Sequence, residues 1–103
     1  MEVVESINLI TRKPGVRGGR PCIKGTGLRV TDIVVAMRYH ERTPEQIAEG
    51  LQVSLAGVYA ALTYYNLHKD EIDADIRNQI KKARILRDNG VGSKRPSLGP
   101  TPL

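Results

Sequence analysis

After Thr31, apolar positions recur every three or four residues along most of the chain. This is the period of an amphipathic helix. A first segment contains Ile33 and Met37, and a longer one extends from about Lys69 to Asp88 with its acids in the first half and its bases in the second, as the helix dipole favours. The segment between them has apolar positions at Leu55, Val58, Tyr59, Leu62 and Tyr65. The pattern predicts a mainly α-helical protein.

Capping residues mark where these helices begin and end. Thr31 or Asp32 is placed to cap the first helix, which is expected to end between residues 37 and 40. Residues 43–46, Thr-Pro-Glu-Gln, form a capping box with proline at the first helical position. The short helix that follows is predicted to end at a left-handed Gly50.

The next helix is predicted to begin after a tight connection over residues 51–53. Ser54 is placed to cap it. A break near His68 is expected to separate it from the last helix, but no glycine or proline marks this position, so one continuous helix is the alternative. A short helix, a tight turn and a capped helix are typical of a helix-turn-helix. We therefore predict three to four helices in a helix-turn-helix-like arrangement.

The residues before Thr31 predict a short β arm. Residues 2–11 mix β-branched and apolar side chains and predict one or two short strands, and further strands are expected at residues 22–23 and 28–30. Glycines and prolines between them predict turns. The chain is thus divided into a β arm over residues 1–30, a helical domain over residues 31–89 and a flexible tail over residues 90–103.

Positive charge is concentrated in the arm. The 103-residue chain has a formal net charge of +5. Between Ser6 and Thr31 there are no acids and six basic residues, which are Arg12, Lys13, Arg17, Arg20, Lys24 and Arg29. Such a field attracts phosphates or acidic protein surfaces. The alternative is a solvated loop region that keeps the protein soluble.

No arrangement typical of catalysis or metal binding is found in the sequence. The single Cys22 lies far from His40 and His68, so no zinc-binding spacing exists. Neither of the two common phosphate-loop patterns fits the glycines of residues 15–30. We therefore expect no enzymatic activity, metal or cofactor. The N-terminal residues show no apolar stretch of signal-peptide or membrane-span length, so a cytoplasmic protein is expected.

The second helix of a DNA-binding helix-turn-helix usually presents Arg, Lys, Asn or Gln to the bases. Here residues 55–68 contain no arginine or lysine, so phosphate contacts from the arm are expected to supply most of the affinity. Polar candidates near this helix are Gln52, Ser54 and Asn66. The candidate DNA-binding residues are Arg12, Lys13, Arg17, Arg20, Lys24, Arg29, Gln52, Ser54 and Asn66.

Residues 18–30, GGRPCIKGTGLRV, closely resemble the signature of the bacterial family known as domain of unknown function 433. The resemblance continues through the helix start at Thr43-Pro-Glu-Gln-Ile47 and the Tyr64-Tyr-Asn-Leu-His68 helix end, and covers about residues 7–75. The family usually has arginine directly after the Gly-Thr pair, whereas this chain has Gly27, with its arginine at Arg29.

The resemblance implies a helix-turn-helix domain with a β arm and a role as an antitoxin that binds DNA and a PIN-like nuclease toxin. We therefore expect a DNA-binding regulator of antitoxin type. The alternative is a protein-interaction module that binds a partner without DNA. A homodimer through the arm, the last helix or both is also expected, because Tyr59, Leu62 and Ile76 belong to apolar stripes and the arm has free strand edges.

Overall fold

The computed structural model describes residues 1–3 and 5–89 and is mainly helical. A two-stranded antiparallel sheet precedes four α-helices, which confirms the predicted class, mainly α with a short N-terminal β arm. The elements are β1 (Ile10–Thr11), β2 (Cys22–Ile23), α1 (Val30–Arg38), α2 (Pro44–Leu51), α3 (Leu55–Leu67) and α4 (Lys69–Asp88). None of the described helices is long and apolar enough to cross a membrane. The predicted tail, residues 90–103, lies outside the described residues.

The chain divides into two compact units after residue 72. In the first unit, α3 is the central element, because it packs against α1, α2 and both strands. The buried apolar residues of this unit are Cys22, Ile23, Val30, Ile33, Val34, Ile47, Val58, Ala61, Tyr65 and Ile72. The second unit begins at Asp73, and its described part is the remainder of α4.

The β arm is shorter than the sequence predicts. Ile10 pairs with Ile23 and Thr11 with Cys22, while described residues before Ile10 form no strand. The strand predicted at residues 22–23 is confirmed. The prediction of a strand at residues 28–30 is wrong. Only Arg29 forms an isolated bridge, with Cys22, and α1 begins at the next residue.

The first helix begins earlier than predicted, because the carboxylate of Asp32 caps it. Arg29, rather than Thr31 or Asp32, is the residue that precedes α1. Asp32 is the third helical residue, and its Oδ2 accepts a hydrogen bond from the backbone N–H of Arg29 at 2.9 Å. The carboxylate therefore caps the helix from inside the first turn, where negative charge is favoured.

The capping box of α2 is confirmed in both directions. The backbone N–H of Gln46 donates to Thr43 Oγ1 at 3.1 Å, and the backbone N–H of Thr43 donates to Gln46 Oε1 at 2.9 Å. The predicted stop at Gly50 is wrong, because the helix continues to Leu51 and the left-handed residue is Gln52, with φ 57° and ψ 47°. The N–H of Gln52 caps the helix by donating to the carbonyl oxygens of the preceding turn.

Ser54 caps α3 as predicted, with its Oγ accepting from the backbone N–H of Gly57 at 3.0 Å. The inward face of α3 differs from the predicted stripe. Leu55 and Tyr59 are exposed and Leu62 is half-buried, whereas Gly57, Val58, Ala61 and Tyr65 are buried.

The glycine on this face permits a close approach between α3 and β2. A Cβ at Gly57 would lie 2.9 Å from Cγ2 of Ile23, which is nearer than side chains pack. The strand can therefore sit directly on the first turn of the helix.

The predicted break between the last two helices is confirmed at His68. Its backbone is non-helical, with φ −132° and ψ 42°, and its N–H donates to the carbonyl oxygens of Tyr64 and Tyr65. The last helix has the predicted bounds, from Lys69 to Asp88. The break therefore arises without glycine or proline.

Candidate nucleic-acid interface

Two turns of the N-terminal arm enclose a cleft of about 380 Å³. The first turn is held by hydrogen bonds from the N–H of Val16 to the carbonyl oxygen of Lys13 and from the N–H of Gly19 to that of Val16, both at 3.0 Å. In the second turn, Gly25 has a φ of 77°, a value that favours glycine. The cleft is lined by Thr11, Lys13, Val16, Cys22, Gly25, Thr26 and Gly27.

The threonine of the second turn fixes its shape. The Thr26 hydroxyl donates to the carbonyl oxygen of Ile23 at 2.8 Å and accepts from the N–H of Leu28 at 3.1 Å. The side chain thus links the residues on either side of the turn. In this structure the Gly-Thr pair, part of the sequence signature, has a structural role.

Three of the six arm cations remain without an acidic partner at this cleft. Lys13 lines the cleft, Arg17 follows a lining residue and Lys24 precedes one. All three are exposed. Among residues 1–3 and 5–89, the side chains of these three residues form no ion pair and no hydrogen bond. We refer to Lys13, Arg17 and Lys24 as the turn cations.

The remaining arginines of the arm have partners within the fold. Arg12 Nη2 donates to the Tyr64 hydroxyl at 2.7 Å and to Glu71 Oε2 at 2.5 Å. The hydrogen bonds to Glu71 and Tyr64 raise the pKa of Arg12. This guanidinium therefore ties the arm to α3 and to the start of α4.

Arg29 and Arg20 are also engaged. Arg29 forms a two-point pair with Asp32, through Nη2 to Oδ1 at 2.8 Å and through Nε to Oδ2 at 3.2 Å. Arg20 is half-buried, and its Nη1 lies 3.4 Å from the carbonyl oxygen of Arg17. Sequence alone counts all six cations equally, whereas the fold neutralises Arg12 and Arg29 with nearby carboxylates.

The polar candidates around α3 are partly used by the helix itself. Ser54 is the helix cap, and Asn66 Nδ2 donates to the carbonyl oxygen of Leu62 at 2.9 Å. Gln52 is exposed in the left-handed position after α2. Gln52 and Ser54 lie in the connection between α2 and α3, and Asn66 lies on α3. The structure does not bring them into the cleft of the turn cations.

The outer face of α3 lines an apolar groove that the sequence analysis missed. The groove has a volume of about 490 Å³. It is lined by Ile7, Asn8, Leu9, Ile10, Ala56, Tyr59, Ala60, Thr63, Tyr64 and Leu67. The signal that could have revealed it is the series of small residues at positions 56, 60 and 63, which share one helix face.

Polar contacts hold the tyrosine hydroxyls at the groove. The Tyr59 hydroxyl donates to Glu45 Oε2 at 3.3 Å, and the negative charge of Glu45 raises the pKa of Tyr59. The Tyr64 hydroxyl accepts from Arg12, and its ring stacks on His68 with centroids 4.2 Å apart. Glu45 and Arg12 thus mark two sides of the groove.

The described residues offer little for metal or thiol chemistry. No group of three His, Cys, Asp or Glu side chains within this part of the chain could hold a metal ion. Cys22 is buried, and burial raises the pKa of its thiol, although the charge of Arg17 acts in the opposite direction. A buried thiol with a raised pKa is a poor nucleophile.

Comparisons with known proteins agree on a single family. The profile of the family described as "Protein of unknown function (DUF433)" matches residues 10–65. A crystal structure of a DUF433 member protein from Anabaena variabilis ATCC 29413, at 2.00 Å resolution, is similar with a TM-score of 0.60 and 28% identity, over 68% of this chain and 69% of that one. None of the curated proteins matches this chain. The matched residues contain both strands, α1, α2 and most of α3, and the chain belongs to the DUF433 family.

Proposed function

We propose that this protein is a cytoplasmic DNA-binding regulator of antitoxin type that contacts DNA phosphates through the turn cations. The observation that carries the proposal is the cluster of exposed cations around one cleft, without acidic partners among the described residues. Cations that are already paired gain little from a phosphate, whereas unpaired ones release counterions from DNA when they bind. The proposal gives the protein no enzymatic role.

In this proposal, α2 and α3 orient the protein on DNA but supply no positive charge. Residues 43–67 contain no lysine or arginine, so α3 cannot form the arginine or lysine contacts to guanine that most often specify a sequence. Gln52 is exposed and carries an amide that can read adenine. We therefore expect strong dependence on salt and a modest preference among DNA sequences.

The apolar groove on α3 is separate from the cleft of the turn cations, with no lining residue in common. This observation favours the second candidate function, a protein-interaction module that binds a partner without DNA. The resemblance implies that such a partner would be a PIN-like nuclease toxin.

Fluorescence anisotropy with labelled duplexes tests the DNA proposal. The affinity of the full chain is measured for its own promoter and for an unrelated duplex of equal length, from about 50 to 300 mM salt. The Lys13→Ala, Arg17→Ala, Lys24→Ala triple variant should weaken binding to both duplexes. It should also reduce the salt slope by about 0.9 for each phosphate that the variant no longer neutralises.

A matched control removes the same charge elsewhere. The Lys81→Ala, Lys82→Ala, Arg84→Ala variant loses three exposed cations from α4 and should bind DNA nearly as the unchanged protein does. Equal losses in both triple variants would contradict the assignment to the turns. Absence of duplex binding even at low salt would contradict DNA binding altogether. In that case, co-purification with a co-expressed PIN-like nuclease would support the protein-interaction module.

A further inference from the structure

The groove on α3 is an uncharged part of the protein surface. Charged residues make up 26% of the chain, yet none of the ten residues that line the groove is charged. A partner must therefore present apolar, uncharged side chains, because a charge placed there would lose water without gaining an opposite charge.

The same surface contains both recesses and projections. Ala56 and Ala60 contribute only methyl groups to the groove, which leaves room above the helix. Ile7 and Leu67, which also line the groove, are 80% and 75% exposed. Exposed apolar side chains beside an unfilled recess are what a self-complementary surface requires.

Charge at the sides of the groove also favours self-association. Glu45 contacts Tyr59, towards the start of α3, and Arg12 contacts Tyr64, towards its end. If two copies of α3 cross in antiparallel fashion about a two-fold axis, Glu45 of each copy approaches the partner's Arg12. Arg12 retains 47% of its side-chain surface exposed despite its pair with Glu71.

From these features we propose that the groove is the two-fold interface with a second copy of this chain. In an isologous interface each copy supplies the same patch, so Ile7 and Leu67 of one copy can occupy the recess over Ala56 and Ala60 of the other. The turn cations lie in a different cleft and stay available. The proposal goes beyond the proposed function, since the dimer forms without DNA.

Sedimentation equilibrium of the purified full chain, without DNA, tests the interface. The unchanged protein should be dimeric at micromolar concentration. The Ile7→Lys, Leu67→Lys variant places four like charges at the interface and should raise the dimer dissociation constant at least about 100-fold. Both positions are largely exposed within one copy, so circular dichroism should show an unchanged helix content.

The Ile85→Lys, Leu86→Lys variant is the matched control. It makes the same chemical change at two exposed apolar residues of α4, about half exposed at 48% and 50%, and should remain dimeric. A monomeric unchanged protein at about ten times that micromolar range would overturn the proposal and leave the groove for a different protein. Dissociation caused by the α4 variant, or a dimer that survives the groove variant, would overturn it as well. Because no DNA is present, failure of DNA binding does not affect the outcome.

Discussion

The turns of the arm and the helix-turn-helix differ in how charge is distributed. The arm between Ser6 and Thr31 has six bases and no acid, whereas residues 43–67 have two acids, Glu45 and Glu49, and no base. In most helix-turn-helix proteins the second helix provides the cations that meet DNA. Here the cations lie on turns that precede the helices.

The difference shows that a cluster of basic residues in the sequence contains fewer unpaired cations once the chain has folded. Half of the arm cations, Arg12, Arg20 and Arg29, are engaged by oxygen atoms of the fold. Helix α3 carries no charged residue, and it has apolar residues on its outer face as well as in the core. The arm is thus suited to anions and the outer face of α3 to apolar partners.

The largest effect on stability is expected where β2 of the arm packs against α3. Gly57→Val places a side chain against Ile23, whose Cγ2 would lie 2.9 Å from the new Cβ, and should destabilise the protein by about 2–3 kcal/mol through overpacking. Urea unfolding provides the measurement. Ala83→Val, at an exposed position of α4, should cost only about 0.5 kcal/mol through helix propensity. Equal costs for the two variants would contradict the close packing of strand and helix.

A smaller effect on stability is expected from the cap of α2, which depends only on residues close in sequence. Thr43→Ala removes the hydroxyl that accepts the N–H of Gln46 at 3.1 Å and should lower the free energy of unfolding by about 1 kcal/mol. Thr43→Ser keeps this oxygen and should restore most of the loss. Thermal or urea unfolding compares the three proteins. If serine is as damaging as alanine, the hydroxyl is not the source of the stability.

The smallest effect distinguishes paired cations from free ones. Arg12 and Glu71 are about half exposed, at 47% and 50% of their side chains, so solvent screens the pair and a coupling of about 0.5 kcal/mol is expected. A double-mutant cycle with Arg12→Met and Glu71→Gln measures this coupling. The same cycle with Lys13→Met should give no coupling. A coupling with Lys13 as large as that with Arg12 would contradict the division between paired and turn cations.

Local signals in the sequence determine most of the helical structure. The capping box at Thr43, the cap at Ser54 and the bounds of α4 are confirmed because each depends on residues within one or two helical turns. Such features need no knowledge of distant contacts.

Features that depend on distant or competing contacts were not predicted. Arg12 is neutralised by Glu71, which is 59 positions away in sequence. Gln52 takes the left-handed position in place of Gly50, because its N–H reaches the last carbonyl oxygens of α2 and the chain must then turn towards Ser54. The groove was missed for a similar reason, since its two walls, residues 7–10 and α3, are far apart in sequence.

The hydrogen-bonded turn from Lys13 to Gly19 has a consequence for the entropy of binding. Its backbone is already held by two bonds of 3.0 Å, and Arg17 occupies a left-handed conformation with φ 50°. Ordering a flexible backbone costs about 1–2 kcal/mol for each residue, and a preformed turn has met that cost during folding. An anion that binds here immobilises only side chains, so each contact retains more of its interaction energy than it would on a flexible basic tail.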